Sequence, residues 1–363
     1  MATSVDRKLF VSIIINNYNY DRFLAEAINS ALNQTYANTE VIVVDDGSTD
    51  TSRTIMAGYG DSQDQHSANR IISVLKTNGG QASAFNAGFA ASRGDIILFL
   101  DADDYLFPHT VEHVIAVWHS DLSKVHYRLT VVDEHGEPRG YSYPQGGTLA
   151  NGDVHQFLLS GQGYTTNPTS GNALSRKALS NVLPMPEAEF RLAADNYLTT
   201  LIPFYGSVRA IEEPLGAYRV HGNNRWVAAV PDVNKFHKFV QHDLQQDALL
   251  AQKAKELGVD LPADLELRSF GRFWSRLASL RLNPKKHPIP TDHARSLAYL
   301  GICSLWKYST LNWQKRSIFS LWFFWAGWMP LPLAKPAITW LFAPQSRPKA
   351  IGWTLTRLRT LVS

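Results

Sequence analysis

The stretch ILFLDADD at residues 97–104 is the most informative part of this chain. Its apolar first half is typical of a strand buried on both faces of a sheet. Three carboxylates then follow within four positions, on Asp101, Asp103 and Asp104. Because like charges this close repel each other, a cation is expected to neutralise them, and hard oxygen ligands favour Mg²⁺ or Mn²⁺. The alternative for this stretch alone is a solvated acidic turn after a strand.

The chain before this stretch alternates between strand and helix patterns. Strand–helix–strand units of this size build a parallel sheet with right-handed crossovers. The predicted fold class is therefore α/β, a mostly parallel Rossmann-like sheet flanked by helices, with a C-terminal helical extension. Apolar runs predict strands at 11–15, 41–44, 71–75 and 96–100, and helical spacing or small residues predict helices over 21–34 and 81–92.

Polar clusters follow three of the predicted strands. They are NNYN at 16–19, DDGS at 45–48 and the acidic run at 101–104. We expect them to converge, because the carboxyl ends of the strands in such a sheet form the ligand crevice. Neither G-x-G-x-x-G nor a Walker lysine loop follows the first strand, which argues against dinucleotide-binding and P-loop sites.

Charge and aromatic content divide the chain into two chemically different parts. No Asp or Glu follows Asp292, whereas nine Lys and Arg residues do, which leaves 26 basic against 32 acidic residues before that point. The same tail holds seven of the ten tryptophans. A single cysteine, Cys303, excludes internal disulfides and thiolate metal clusters. Together with the short polar start of the chain, it favours a cytoplasmic location.

The composition also predicts how the chain divides into domains. Amphipathic helices are expected over 234–257 and 265–282, and the Pro- and Lys-rich stretch 283–290 is expected to be a linker. The predicted domains are a catalytic domain at 1–225, a helical extension and linker at 226–290, and a basic, Trp-rich helical tail at 291–363.

The tail carries features of a membrane-surface segment. Residues 317–334 contain no charge over 18 positions, near the lower limit for a spanning helix, but Pro330 and Pro332 interrupt them. Trp favours the lipid headgroup region and Lys and Arg favour anionic lipid. An interfacial or re-entrant membrane contact is the preferred interpretation. A helical cap packed on protein and a membrane span are alternatives, and no nucleic-acid-binding motif is present.

Taken together, the motifs resemble glycosyltransferase family 2, the nucleotide-sugar-dependent inverting transferases with the A-type fold. DDGSTD followed by D-x-D at 101–103 is the specific part of the resemblance, which covers about the first 225 residues. The matching stretches are VSIIINNYN (11–19), VIVVDDGSTD (41–50), NGGQASAFNAGFAASRGD (78–95), ILFLDADD (97–104), SGNALSRKAL (170–179), AADNYL (193–198) and YRVHGNN (218–224).

The resemblance implies a divalent cation, Mn²⁺ or Mg²⁺, bound between the acidic run and a nucleoside diphosphate. Asp103 is expected to be the direct metal ligand, with Asp101 contacting the ribose or the metal through water. Asp104 is expected to shape the turn or to pair with a neighbour. In the second loop, Asp46 matches the carboxylate that accepts a hydrogen bond from the nucleobase, and Asp45 is expected to fix the loop backbone.

The same resemblance implies a nucleotide-sugar pocket built from several loops. Gly79 and Gly80 are expected to serve the backbone turn in the third loop. Arg219 is expected to pair either with phosphate or with a carboxylate of the fold. The residues expected to line the pocket are Asn16 and Tyr18, for which an Asx turn is the alternative, then Asn78, Gln81 and Asn86, and finally His221 near the diphosphate or metal.

An inverting transferase needs a carboxylate to deprotonate the acceptor hydroxyl. The family supplies it from an acidic pair that opens a helix, and Asp195 matches its second member. Ala194 replaces the first member, so the chain departs from the pattern there. The alternative for Asp195 is a plain charge at a helix N-terminus. Asn172 and Arg176 are expected near the substrate.

These observations predict a cytoplasmic, peripherally membrane-bound, metal-dependent inverting glycosyltransferase. Its expected partners are a nucleotide sugar, a UDP-sugar first, and a glycan or lipid-linked hydroxyl acceptor of cell-surface polysaccharide or glycolipid synthesis. The alternatives are a nucleotidyltransferase and a non-catalytic membrane-associated binding protein on the same fold.

Overall fold

The computed structural model describes residues 8–60, 71–222 and 236–342. The chain forms two compact units, which divide after His221, except that residues 159–162 belong to the second unit. The predicted positions Asn223, Asn224, Arg347, Lys349, Trp353, Arg357 and Arg359 lie outside the described residues.

In the first unit, nine strands of the described residues form one sheet. The strands are β1 Val11–Asn17, β2 Thr39–Asp45, β3 Ile72–Leu75, β4 Ile96–Asp101, β5 Tyr105–Leu106, β6 Leu122–Val132, β7 Pro138–Tyr143, β8 Asn172–Ser175 and β9 Ser207–Arg219. The helices up to the division are α1 Asp21–Leu32, α2 Ser52–Ala57, α3 Gln81–Ala91, α4 Thr110–Ala116, α5 His155–Leu159, α6 Arg176–Leu179 and α7 Ala194–Leu201.

The strand order is β3-β2-β1-β4-β8-β6-β9-β5, with β7 paired to β6. The first four strands are parallel, as the sequence predicts. Beyond β4 the sheet is mixed, because β8 runs antiparallel to both β4 and β6, whereas β6 and β9 are parallel. The α/β class is confirmed, and the parallel arrangement belongs to the N-terminal half of the sheet.

The central strands β1 and β4 form the core of this unit. Ile13, Ile15 and Leu100 are fully buried. A strand with neighbouring strands on both sides and helices on both faces has no solvent-exposed face, which explains its continuous apolar sequence. Helix α3 packs very closely on the sheet at Gly88, where a Cβ atom would lie 2.3 Å from the Cγ2 atom of Ile14.

The strand register brings the polar ends of the strands level with one another. Asn16 of β1 pairs with Asp101 of β4 on one side and with Val44 of β2 on the other. Asn17 pairs with Asp45 in the same way. The three polar clusters therefore meet at one edge of the sheet, as expected from parallel strands.

The described part of the second unit is helical. Its helices pack around a core that contains Phe273, Leu277, Leu297, Leu305 and Phe323. The helices are α8 Phe236–Leu257, α9 Phe270–Leu282, α10 Ala294–Tyr308, α11 Trp313–Trp328 and α12 Leu331–Phe342.

The structure of this unit bears on two expectations from composition, the linker at 283–290 and the uncharged run at 317–334. The stretch expected to be a linker holds a short 3₁₀ turn, Pro284–Lys286, and the helices on both sides of it share one core. The uncharged run 317–334 is divided between two helices, since α11 ends at Trp328 and α12 begins after Pro330. Among the described helices, none has the length and hydropathy needed to cross a membrane.

Candidate functional site

The acidic turn after β4 is held in place by Asp104. This carboxylate is buried and accepts hydrogen bonds from Ser170 Oγ at 2.6 Å and from the Arg219 backbone N–H at 2.9 Å. Burial raises the pKa of Asp104 well above its usual range, and the charges of Asp103 and Asp101 add to this rise. The turn-shaping role expected of Asp104 therefore agrees with its contacts.

Arg219 supports the same turn from β9. Its Nε atom donates to the Asp103 carbonyl at 2.9 Å, and its guanidinium pairs with Glu26. The group also lies over the Phe23 ring, 4.7 Å from the ring centroid. With a 2% exposed side chain, Arg219 has a carboxylate partner within the fold, which is one of the two roles expected for it.

Asp103 and His221 lie side by side. The His221 Nε2 atom is 3.0 Å from Asp103 Oδ2, and the two side chains are 3% and 13% exposed respectively. The His221 ring packs against Tyr20 and Phe23, with centroid distances of 5.7 and 5.2 Å. The fold thus brings together two residues that are 118 positions apart in the sequence.

The donor set suits a divalent cation that is shared with a phosphate ligand. In the described ranges, no three His, Cys, Asp or Glu side chains cluster as a ready-made metal cage. Mg²⁺ in phosphate-binding sites is held by one or two carboxylates together with substrate phosphates and water. Asp103 and Asp101 provide that number of carboxylates at the edge of the sheet, so the residues present fit the ion.

Asn16 lies near the end of β1, at the same edge of the sheet. Both polar atoms of its side-chain amide are buried and lack a hydrogen-bond partner among the described residues. Leaving such a group unsatisfied costs about 1–3 kcal/mol. Asn16 sits beside Asp101 in the register, and the ring of Tyr18, two residues later, is 41% exposed.

In the turn after β2, Asp45 fixes the loop backbone. It accepts hydrogen bonds from Ser48 N at 3.1 Å, Arg53 Nε at 2.9 Å and Asn17 Nδ2 at 3.1 Å. Burial alone would raise the pKa of Asp45, but these hydrogen bonds outweigh it and lower the pKa. This is the loop-fixing role expected from the sequence.

Asp46 is also engaged by the protein itself. Its Oδ1 atom accepts from Lys76 Nζ at 2.6 Å and from Gly79 N at 2.9 Å, and its Oδ2 atom accepts from Gly80 N at 2.7 Å. Gly80 has a φ of 90°, which favours glycine. A nucleobase contact would have to use the remaining lone pair of Oδ2.

The three polar residues expected from the third loop contact other parts of the chain. Asn78 Nδ2 donates to the Asp46 carbonyl at 2.9 Å. Asn86 exchanges two hydrogen bonds with the backbone of Met185, at 3.0 and 2.9 Å. Gln81 Oε1 accepts from Ala194 N at 3.1 Å. Gln81 therefore anchors the start of α7, and the expected nucleotide contacts of all three residues stay predictions.

Asp195 lies in the first turn of α7. The preceding Ala193 adopts a left-handed conformation with φ of 76°, and Asp195 Oδ1 accepts from Asn196 N at 2.9 Å. A helix N-terminus favours the ionised carboxylate that a base requires. The carboxylate borders a narrow, mostly apolar crevice, whose other lining residues are Phe85, Phe99, Thr169, Asn172, Leu174, Leu198 and Thr199.

Arg176, expected near the substrate, lies at the opposite edge of the sheet. Its backbone N–H donates to the Asp95 carbonyl, just before β4 begins, and its Nη2 atom donates to Ser92 Oγ at 2.6 Å. Sequence order alone could not separate the two ends of β8, and the antiparallel pairing with β4 decides which end faces the site.

Lys124, a residue that the sequence analysis did not single out, lies fully buried in β6. Its ammonium group donates to Thr166 Oγ1 at 2.5 Å and to Tyr164 OH at 3.3 Å, and Tyr164 OH donates to the Thr199 carbonyl on α7 at 2.7 Å. Burial lowers the pKa of Lys124 to about 7, partly opposed by the charge of Asp195. The alternation of Lys124, His126 and Arg128 in β6 could have indicated one polar face.

The fold and the acidic sheet edge define an A-type glycosyltransferase class, and the comparisons with known proteins give the family. The profile described as Glycosyl transferase family 2 matches residues 12–183. An uncharacterised glycosyltransferase of Nostoc sp. PCC 7120 is 36% identical over 220 residues, which are 60% of this chain and 67% of that protein. The chain belongs to glycosyltransferase family 2 and is a glycosyltransferase.

Two further proteins extend the comparison. Chondroitin synthase of Escherichia coli is 34% identical over 149 residues, which cover 39% of this chain but only 21% of the synthase. The crystal structure of S. aureus TarS 1–349 in complex with UDP-GlcNAc aligns with a TM-score of 0.50 at 17% identity, covering 94% of this chain and 93% of that one. The structural match supports the A-type fold.

Proposed function

We propose that this glycosyltransferase moves a sugar from a nucleoside diphosphate donor, a UDP-sugar first, to an acceptor hydroxyl with inversion. The observation that carries the proposal is the sheet edge itself. There His221 holds Asp103, Asp101 lies beside Asn16, and the amide of Asn16 has no partner in the described chain. The chondroitin synthase relative points to polysaccharide or glycolipid assembly as the setting.

The donor would bind along the carboxyl ends of β1, β2 and β4. The buried amide of Asn16 offers a donor and an acceptor for a polar ligand, and the exposed Tyr18 ring offers a stacking surface for a base. Asp103 and Asp101 would hold the divalent cation. When bound, that ion supplies a Lewis acid that stabilises charge on the diphosphate leaving group.

Asp195 would act as the base. As the acceptor oxygen bonds to the anomeric carbon, its proton passes to the Asp195 carboxylate, and the bond from that carbon to the diphosphate breaks with its electron pair on the diphosphate. Gln81 supports this role by fixing the N-terminus of α7. Positioned proton transfer of this kind typically contributes roughly 10²–10⁴-fold in rate.

Calorimetric titration with UDP, GDP and dTDP, with Mn²⁺ or with EDTA, tests the donor class. One nucleoside diphosphate should bind only when the metal is present, and the matching nucleotide sugar should be hydrolysed slowly. No metal-dependent binding across the panel would overturn the proposal, and binding without turnover or transfer to any tested acceptor would favour a non-catalytic binding protein.

Asp195→Asn tests the base. This variant should keep the donor affinity of the parent while hydrolysis and transfer fall by roughly 10²–10⁴-fold. Asp121→Asn is the control, because the Asp121 side chain is 70% exposed, and its donor affinity and turnover should match those of the parent. Unchanged turnover in Asp195→Asn would assign the base to another group.

A further inference from the structure

Helices α10, α11 and α12 leave large apolar side chains exposed. We call these residues the apolar face: Trp306, Trp313, Leu321, Phe324, Trp325 and Leu333, which are between 44% and 69% exposed. Leu321, Phe324 and Trp325 follow one another at helical spacing on α11. The indole N–H groups of Trp306 and Trp325 are already bonded, to Ser320 Oγ and to the Leu333 carbonyl, so the rings present mainly apolar surface.

The packing of α11 fixes which of its sides is exposed. On the opposite side, Phe323 lies against Gly301 of α10, where an added Cβ atom would come within 2.4 Å of the ring. A Cβ atom added at Gly327 would likewise come within 2.4 Å of the Cβ atom of Ala298. Because two glycine contacts lock the helix against α10, rotating α11 to bury Leu321 would break this packing.

The three helices that carry the apolar face contain basic but no acidic side chains, and Asp264, which precedes them in the chain, pairs with Lys307 beside Trp306. No Asp or Glu occurs from His293 to the end of the sequence. Lys315 is exposed one turn before Ile318 on α11, and Lys335 is exposed one turn after Leu331 on α12, and both of these apolar side chains are exposed as well. Aromatic rings flanked by lysines match the lipid headgroup region, where Trp prefers to lie and anionic lipids attract cations.

We propose that the apolar face binds the surface of an anionic lipid bilayer, with its rings at headgroup depth and Lys315 and Lys335 against lipid phosphates. This goes beyond the proposed sugar transfer, since it concerns where the enzyme works and not what it transfers. No described helix is long and apolar enough to span a bilayer, which fits binding at the surface.

Vesicle co-sedimentation of the full chain tests this proposal. Binding should be strong to phosphatidylcholine and phosphatidylglycerol in equal parts, weak to phosphatidylcholine alone, and reduced by added salt. Brominated lipids should quench the tryptophan fluorescence of bound protein. Failure of the parent to sediment with the anionic vesicles would overturn the proposal, whatever its nucleotide binding.

Two matched pairs of variants localise the contact. Leu321→Glu should lower the bound fraction by roughly tenfold or more, whereas Leu244→Glu, at an exposed leucine of α8, should behave like the parent. Lys315→Glu with Lys335→Glu should weaken binding to anionic vesicles only, whereas Lys285→Glu with Lys286→Glu, also exposed, should not.

The same variants distinguish lipid binding from misfolding and from self-association through the apolar face. Thermal unfolding and nucleotide titration check that each variant is folded. Equal binding by Leu321→Glu and Leu244→Glu would remove the apolar face from the contact. A parent that ignores vesicles but forms a dimer in sedimentation velocity, with Leu321→Glu monomeric, would assign the face to a second copy of the chain.

Discussion

The two acidic turns at the sheet edge, after β2 and after β4, use their carboxylates differently. After β2, Asp45 and Asp46 both accept several hydrogen bonds from donors of the protein, including Arg53 and Lys76. After β4, Asp104 is equally engaged inside the fold, but Asp103 faces a histidine and remains 13% exposed. Each turn has an acid that builds the loop, and under the proposed function the second turn also presents one to the ligand.

This difference separates carboxylates that stabilise the fold from those that bind. A carboxylate that accepts hydrogen bonds from backbone N–H groups and a lysine has most of its lone pairs engaged before any ligand binds. The carboxylate of Asp103, which His221 contacts through one oxygen, keeps lone pairs that could bind a cation. Substitutions of these residues test whether each carboxylate stabilises the fold or binds the ligand.

Asp103→Asn should have the largest effect on binding. Loss of the charge should weaken metal-dependent nucleoside diphosphate binding by roughly 2–5 kcal/mol, because it leaves a bound cation short of its partner. The free energy of unfolding should change little. Calorimetry with Mn²⁺ and urea unfolding measure the two quantities. Asp121→Asn, in an exposed Asp–His pair with His119, is the matched control, and equal affinity in both variants would refute the ligand role.

Asp46→Asn should lower the free energy of unfolding more than it lowers nucleotide affinity. It removes the partner of Lys76, whose side chain is only 20% exposed, and should lower the free energy of unfolding by about 3 kcal/mol, near the lower end for breaking a buried pair. Urea unfolding measures this loss. A fully stable Asp46→Asn protein that no longer binds nucleotide would place Asp46 with the ligand-presenting acids instead.

The two lysines Lys76 and Lys124 extend the comparison to cations. Lys76 has a carboxylate partner, whereas Lys124 is buried against hydroxyl groups. Since burying a charge without a carboxylate hydrogen-bonded to it is costly, Lys124→Met should raise the free energy of unfolding at neutral pH, whereas Lys76→Met should lower it. Urea unfolding of both variants gives the signs, and a destabilised Lys124→Met protein would show that the ammonium contributes favourably.

The pH dependence of the same variant is a sharper test. Because burial lowers the pKa of Lys124 from 10.5 to about 7, the folded chain binds fewer protons than the unfolded chain between these values. The free energy of unfolding should therefore rise with pH across that window in the parent. In Lys124→Met this contribution to the rise should be absent. Identical slopes would mean that Lys124 keeps its usual pKa.

His221→Gln should have the smallest effect. The glutamine amide can donate to Asp103, so the carboxylate keeps its orientation and nucleotide affinity should fall by roughly tenfold, the lower end of the loss expected when such a partner is changed. Calorimetry with Mn²⁺ measures it beside Asp103→Asn. A loss as large as that of Asp103→Asn would make His221 a direct participant in binding.

Much of the fold follows from local sequence. The apolar runs of β1, β2 and β4 predict buried strands, and their polar ends predict one shared edge, because parallel strands align their carboxyl ends. The mixed half beyond β4 could not be predicted in this way. Its pairing of β8 between β4 and β6 depends on contacts between residues far apart in the chain.

The sequence alone determined the family, the acids at the sheet edge and the basic, aromatic tail, since these depend on residue type and spacing. Only the tertiary structure decided which side chains and backbone groups each acid contacts. The hydrogen-bond partners of Asp46 and Asp104, and the histidine beside Asp103, come from distant positions in the chain. Burial and hydrogen bonding set the role of a carboxylate, and both depend on packing, which residue spacing does not specify.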